Sequence, residues 1–193
     1  MIGKLFWSLV VILAACSASY ASDVRRVVTA LDANDRSTTL FDSELPLLVG
    51  KSGNGSANLW VTDSNPAGFS QQDAGKTLTG IAPPDSGTVL RVVEFPPVDD
   101  AKLAAMDPHL MMNIAGSDAP GRGAPVTNPL EHRTRTVDYA IVMSGEIDMM
   151  LDDKTVHLKP GDVVVQQATN HAWINRGKKP CRVIFVLMDS KQP

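Results

Sequence analysis

The feature that most limits what this chain can fold into is a ladder of short apolar or alternating runs. They read "RRVVTAL", "STTLF", "NLWVT", "TVLRVVEF", "DYAIVM", "EIDMML", "TVHL", "DVVVQQ", "HAWIN" and "RVIFVLM". Turn residues separate them, as in "SG" at 144–145, "DD" at 152–153 and "KPGD" at 159–162. Short runs bounded by Gly, Pro, Asn, Asp and Ser read as strands. From about Val137 to Asp189 they follow one another at near-hairpin spacing, which predicts an antiparallel sandwich or barrel. The 13 Pro and 14 Gly spread through the chain work against long helices. Residues 99–130 break the rhythm: the first half predicts one or two short helical turns, and the Gly/Pro-rich second half a long loop of the kind that often serves as a lid or binding loop.

With 193 residues, 44% of them hydrophobic, the chain is the size of one domain with one core, expected from Val24 to Asp189. The formal net charge of -3 and the absence of a Lys/Arg run exclude a nucleic-acid-binding footprint. Residues 1–21, "MIGKLFWSLVVILAACSASYA", have the layout of an export signal: Lys4, an apolar run from Leu5 to Ala15, then small residues. The run falls short of the roughly 20 residues that a membrane span needs. Two cleavage readings compete. "LAAC" resembles a bacterial lipobox, which makes Cys16 a lipidated first residue and the protein a membrane-anchored lipoprotein; "SYA" before Ser22 resembles an ordinary signal-peptidase site, which makes it soluble and periplasmic. Either cut leaves Cys181 without an intramolecular partner in the folded domain, so no disulfide framework is expected.

The chain has four histidines, and two of them fall in motif-like settings. In "EHRTRTVDYAIVMSGE", His132 is followed by Thr134, Asp138 and Gly145; in "LKPGDVVVQQATNHAWINRG", Gly161 is followed by His171 and Asn175. These stretches resemble the paired signatures of the cupin superfamily over about residues 125–190, and more narrowly those of small single-domain cupins from bacteria and fungi. His132 takes the first ligand position, Thr134 replaces a second His, and Asp138 stands where Glu is usual. Gln166 and Ala168 replace the Pro and Gly of the second signature. The resemblance implies an all-β double-stranded β-helix, the cupin jelly-roll barrel, with a minor helical and loop segment around 100–130. It also implies a site between the two sheets.

Two imidazoles and one carboxylate with open positions form an arrangement suited to non-haem Fe(II) and related ions. The resemblance therefore implies one divalent metal ion, Fe, Mn, Ni or Zn, on His132, Asp138 and His171. Six residues of straight strand at roughly 3.3 Å each span about 20 Å, so the chain has to bend between Thr134 and Thr136 for His132 and Asp138 to share an ion. In the plainer reading His132 pairs with Glu131, and Asp138 caps or pairs with Arg133 or Arg135. The period of two puts His171, Trp173 and Asn175 on one strand face, with Thr134 and Trp173 expected to line a substrate pocket and Tyr139 to face away from Asp138. His157 is expected on the surface and His109 in a loop. Two functions remain: an exported metal-dependent enzyme acting on a small organic molecule, as an oxygenase, isomerase or decarboxylase, and a non-catalytic ligand-binding or structural cupin with a degraded metal site. A homodimer is expected, its N-terminal strands extending the partner's sheet, with Arg25 and Arg26 as possible edge charges.

Overall fold

The structure, a computed structural model, describes residues 23–115 and 127–191. The export segment with Cys16, and most of the Gly/Pro-rich half of 99–130, lie outside the described residues.

Each predicted run contributes a strand. In chain order these are β1 (Val24–Leu31), β2 (Ser37–Leu45), β3 (Leu48–Val49), β4 (Gly55–Thr62), β5 (Thr88–Phe95), β6 (Thr136–Ser144), β7 (Ile147–Met150), β8 (Thr155–Leu158), β9 (Val163–Gln167), β10 (Ala172–Ile174) and β11 (Cys181–Asp189). Two short helices, α1 (Asp100–Ala104) and α2 (Leu110–Ala115), fall where helical turns were expected. Six strands form one sheet in the order β3-β4-β5-β11-β6-β9, and three form a second, β10-β7-β8, with every pairing antiparallel.

Strand alternation builds the core. On β11, Cys181, Val183, Phe185 and Leu187 point inward, and they meet Val89 and Phe95 of β5, Ala140 and Val142 of β6, Ile147 and Met149 of β7, and Trp173 of β10. Side chains from both sheets thus share one cluster, and the fold is an all-β double-stranded β-helix. Cys181 is buried packing, and burial pushes its thiol up to about 11. The outward face of β10, Ala172 and Ile174, is covered by Leu103, Met106, Leu110 and Met111 of the helical segment. Met150, on the face of β7 opposite Met149, packs there too.

The strands β1 and β2 form a separate hairpin, paired with each other along their length. Val24, Leu45 and Leu47 lay it against Leu59 and Val92 on the outer face of the large sheet. The two arginines of β1 part company. Arg25 is an exposed partner of Asp42, whereas Arg26 is buried against Asp73, so Arg26 is a structural ion pair and not an edge charge.

Candidate functional site

His132 precedes β6 and pairs with His171 just before β10: the two residues exchange backbone N–H to O bonds of 2.9 and 3.0 Å. This pairing brings their rings to a centroid distance of 4.3 Å. His171 is buried and His132 partly so. Each Nδ1 faces the carbonyl oxygen two residues back, Leu130 O at 3.1 Å for His132 and Thr169 O at 3.0 Å for His171. A carbonyl only accepts, so in the neutral ring Nδ1–H donates and Nε2 carries the lone pair.

Asp138 lies on the inward face of β6, 4% exposed, with Tyr139 turned outward as alternation requires. Neither Arg133 nor Arg135 pairs with it. Arg135 reaches Asp189 and Asp85, and Arg133 Nε donates to Ala168 O. Asp138 Oδ1 is buried with no hydrogen-bond partner. Burial pushes its carboxyl up to about 6, opposed by a bond from the Thr136 hydroxyl. Thr134, at the position of the missing second His, is buried and its hydroxyl meets that of Thr136 at 2.7 Å. The result is a run of polar groups, Thr134, Thr136 and Asp138, along the inner wall.

The donor chemistry tests the expected metal set. Two imidazoles that carry their lone pairs on Nε2 and a buried carboxyl oxygen with no hydrogen-bond partner are the right kinds of group. Among the described residues, however, no three His, Cys, Asp or Glu side chains are grouped to hold an ion. The structure brings His132 and His171 together and does not assemble Asp138 with them into a three-ligand site. Asp138 sits two residues inside a regular strand, and its side chain is one methylene shorter than the Glu that the resemblance implies there.

The remaining expected residues are also placed. Trp173 belongs to the core, with ring centroids 5.5 Å from Phe185, 6.4 Å from Phe95 and 6.2 Å from His171. The cleft it lines with Leu130 and Asn175 measures about 10 Å³, room for no more than one water. Asn175 shares that face, and its amide is spent on Phe95 O, Lys179 O and Gly177 N–H, so it ties β10 to β5. His157 is on the surface, its Nδ1 2.7 Å from Asp148, which raises its pKa. His109 lies exposed in the turn before α2. A cavity of about 130 Å³ lies by the opposite face of β10, lined by Thr127, Asn128, Glu131, Met150 and Ala172. Sequence reading gave no site role to Glu131, named only as a partner for His132, or to Gln166, named only as a replacement in the second signature; both are buried, the Glu131 carboxylate accepting from Thr127 N–H and hydroxyl and Gln166 lying across from Asp138. For Gln166 the signal was its inward parity on β9.

Residues 118–187 match the family model described as Cupin_2, Cupin domain. A phomopsin biosynthesis cluster protein C' from Diaporthe leptostromiformis is 47% identical over 64 residues, which is 32% of this chain and 34% of that protein. The cupin-domain-containing oxidoreductase srdD of Neurospora crassa is 43% identical over 75 residues, 36% of this chain and 37% of that protein. The match spans about a third of the length of these curated relatives. Among solved structures, the Cnp3 cupin domain of Schizosaccharomyces pombe is similar over 89% of this chain and 90% of its own, at 13% identity and a TM-score of 0.44. The family match runs across His132, Asp138, His171 and all of β6 to β10, and with the β-helix barrel it supports the cupin superfamily for this chain.

Proposed function

We propose that this chain is a cupin-type enzyme with an oxidoreductase-like role on a small organic molecule, centred on His132 and His171. The observation that carries the reading is the imidazole pair. Two histidines on neighbouring chain segments are held by mutual backbone bonds, and each is set in the same tautomer by its own carbonyl. Second-contact hydrogen bonds of this kind orient metal-binding histidines. The fungal relatives named cupin-domain-containing oxidoreductases, from Neurospora crassa and Aspergillus ruber, favour an enzyme over a purely structural barrel.

His132 and His171 would hold a divalent first-row ion through Nε2, and that ion would supply Lewis-acid or oxygen-activating chemistry. The chain itself does the rest. Trp173 packs beside His171 and shields one flank of the pair from solvent. Asp138 holds or releases a proton near pH 6, and Thr136 orients it by donating to its carboxylate.

Titration of chelator-stripped protein with Mn(II) and Zn(II) tests this. One ion per chain is expected, and His132→Ala or His171→Ala should each weaken it at least about tenfold. Retention should weaken as the solution is acidified, because ligation needs neutral imidazole. Thr134→His, which restores a second histidine beside the first, should tighten binding. Unchanged affinity in both alanine variants, each shown folded by its thermal transition, would leave the non-catalytic binding module in front.

Export is proposed with this activity, on the strength of residues 1–21. If Cys16 is lipidated, Cys16→Ala should move the protein from the membrane to the soluble fraction. A mature N-terminus at Ser22, read by mass spectrometry, would decide for the soluble form.

A further inference from the structure

In the run "TVLRVVEF" one charged residue occupies an inward position. Arg91 lies between Val89 and Val93, both of which pack on the core, and directly opposite the core residue Phe185 on β11. The strand therefore carries a cation on its barrel side. Such charges are ordinarily paired. The other well-buried arginines obey this: Arg26 has Asp73 and Arg182 has Glu94. Among the described residues Arg91 has only neutral acceptors. Its Nε donates to Asn58 Oδ1 at 2.8 Å and its Nη2 to Thr79 Oγ1 at 2.9 Å and Gly80 O at 2.8 Å, with Nη1 3.4 Å from Ile81 O.

The segment that supplies three of these acceptors is weakly held. Leu78 is 98% exposed, so it anchors nothing, and among the described residues the segment's other hydrogen bonds to the barrel are those of Asn58 Nδ2 to Thr77 O and Thr79 Oγ1, both 3.2 Å. A planar guanidinium matches a carboxylate through two parallel bonds, each roughly twice as strong as a bond to a neutral oxygen. A carboxylate offered to Arg91 would compete with Thr79, Gly80 and Ile81 for the same N–H groups.

We infer that Arg91 is a recognition residue for the carboxylate of a small organic anion, and that residues 79–81 occupy it until such an anion arrives. The inference rests on the small-molecule reading above and names the class of molecule. Burial without a counter-charge lowers the pKa of Arg91, in keeping with a cation that lacks its partner.

The test is a nuclear magnetic resonance titration of the full chain with acetate and propionate, using acetamide and propionamide as neutral isosteres and chloride to hold ionic strength constant. The carboxylates should shift the Arg91 Nε–H and the Gly80 and Ile81 amides saturably, and the amides should not. Arg91→Lys should weaken the response about tenfold, by loss of the bidentate fork. Thr79→Val removes a competing acceptor and should tighten carboxylate binding about 2- to 10-fold, an effect that a purely structural Arg91 would not produce. Equal shifts from the amides, or a Thr79→Val affinity equal to the parent's, would overturn the inference. The response should persist in His171→Ala, so a failed metal titration with an intact carboxylate response removes the enzyme reading and leaves the anion site.

Discussion

Asp73→Ala should destabilise the protein by about 3–5 kcal/mol at neutral pH, the cost of leaving a buried charge without its partner. Arg26 and Asp73 have side chains only 5% and 14% exposed and meet through two bonds of 2.6 and 2.9 Å. Gly75 makes the approach possible, since a Cβ there would stand 2.3 Å from Arg26 Nη1. Without Asp73 the guanidinium keeps Leu59 O and the face of Phe41, neither of which neutralises it. The bond from Arg26 holds the Asp73 carboxyl below its ordinary range. A lowered folded pKa means that this stability is present above the unfolded value of about 3.9 and is lost as the pH falls through the folded one. Urea titrations should therefore show a large gap between parent and Asp73→Ala at neutral pH and convergence in acid. The double change Arg26→Met with Asp73→Leu should recover most of the loss, because it buries no charge at all. A single-variant loss below about 1 kcal/mol would mean that the pair is screened like a surface one.

That ion pair shows where sequence reading stops. Period-two alternation made the strands legible, because each had to offer one face to a core, and β6 and β11 follow it closely, whereas β5 is packed on both faces. Alternation assigns faces within a strand but not between sheets. Nothing in "RRVVTAL" says that its hairpin will lie on the outer face of β4 and β5, nor that Arg26 will be buried while Arg25 is not. Those outcomes depend on Asp73 and Gly75, which are distant in sequence and lie in a stretch with no strand pattern.

The site divides the same way. His132 and His171 were legible as a pair through the resemblance, and the antiparallel bridge between their backbones explains why the two motifs meet. The place of Asp138 was legible only as parity, inward with Thr134 and Thr136. Its distance from the histidines depends on how the chain enters β6, which spacing does not encode. Arg91 carried its signal in plain view, as a charge at an inward position between Val89 and Val93.

Asp138→Asn should make the protein more stable at neutral pH, by up to roughly 3 kcal/mol, since a shift of about two units corresponds to that much. Burial raises the Asp138 carboxyl from 3.8 to about 6, and the Thr136 hydroxyl only partly offsets it. Here the folded pKa lies above the unfolded one, so the sign is the reverse of that for Asp73. The neutral carboxyl is the form the fold favours; its contribution is complete below about pH 4 and is lost as pH rises through about 6. Asparagine keeps the shape and never ionises. Parent and variant, both stripped of metal by chelator, should therefore have similar stabilities near pH 4 and diverge steadily up to about pH 6, with a constant gap above it. Parallel stability curves across that range would show that Asp138 does not feel its burial. Divergence would show that the chain carries a carboxyl where an amide serves folding better, the kind of perturbed group that functional sites tend to hold.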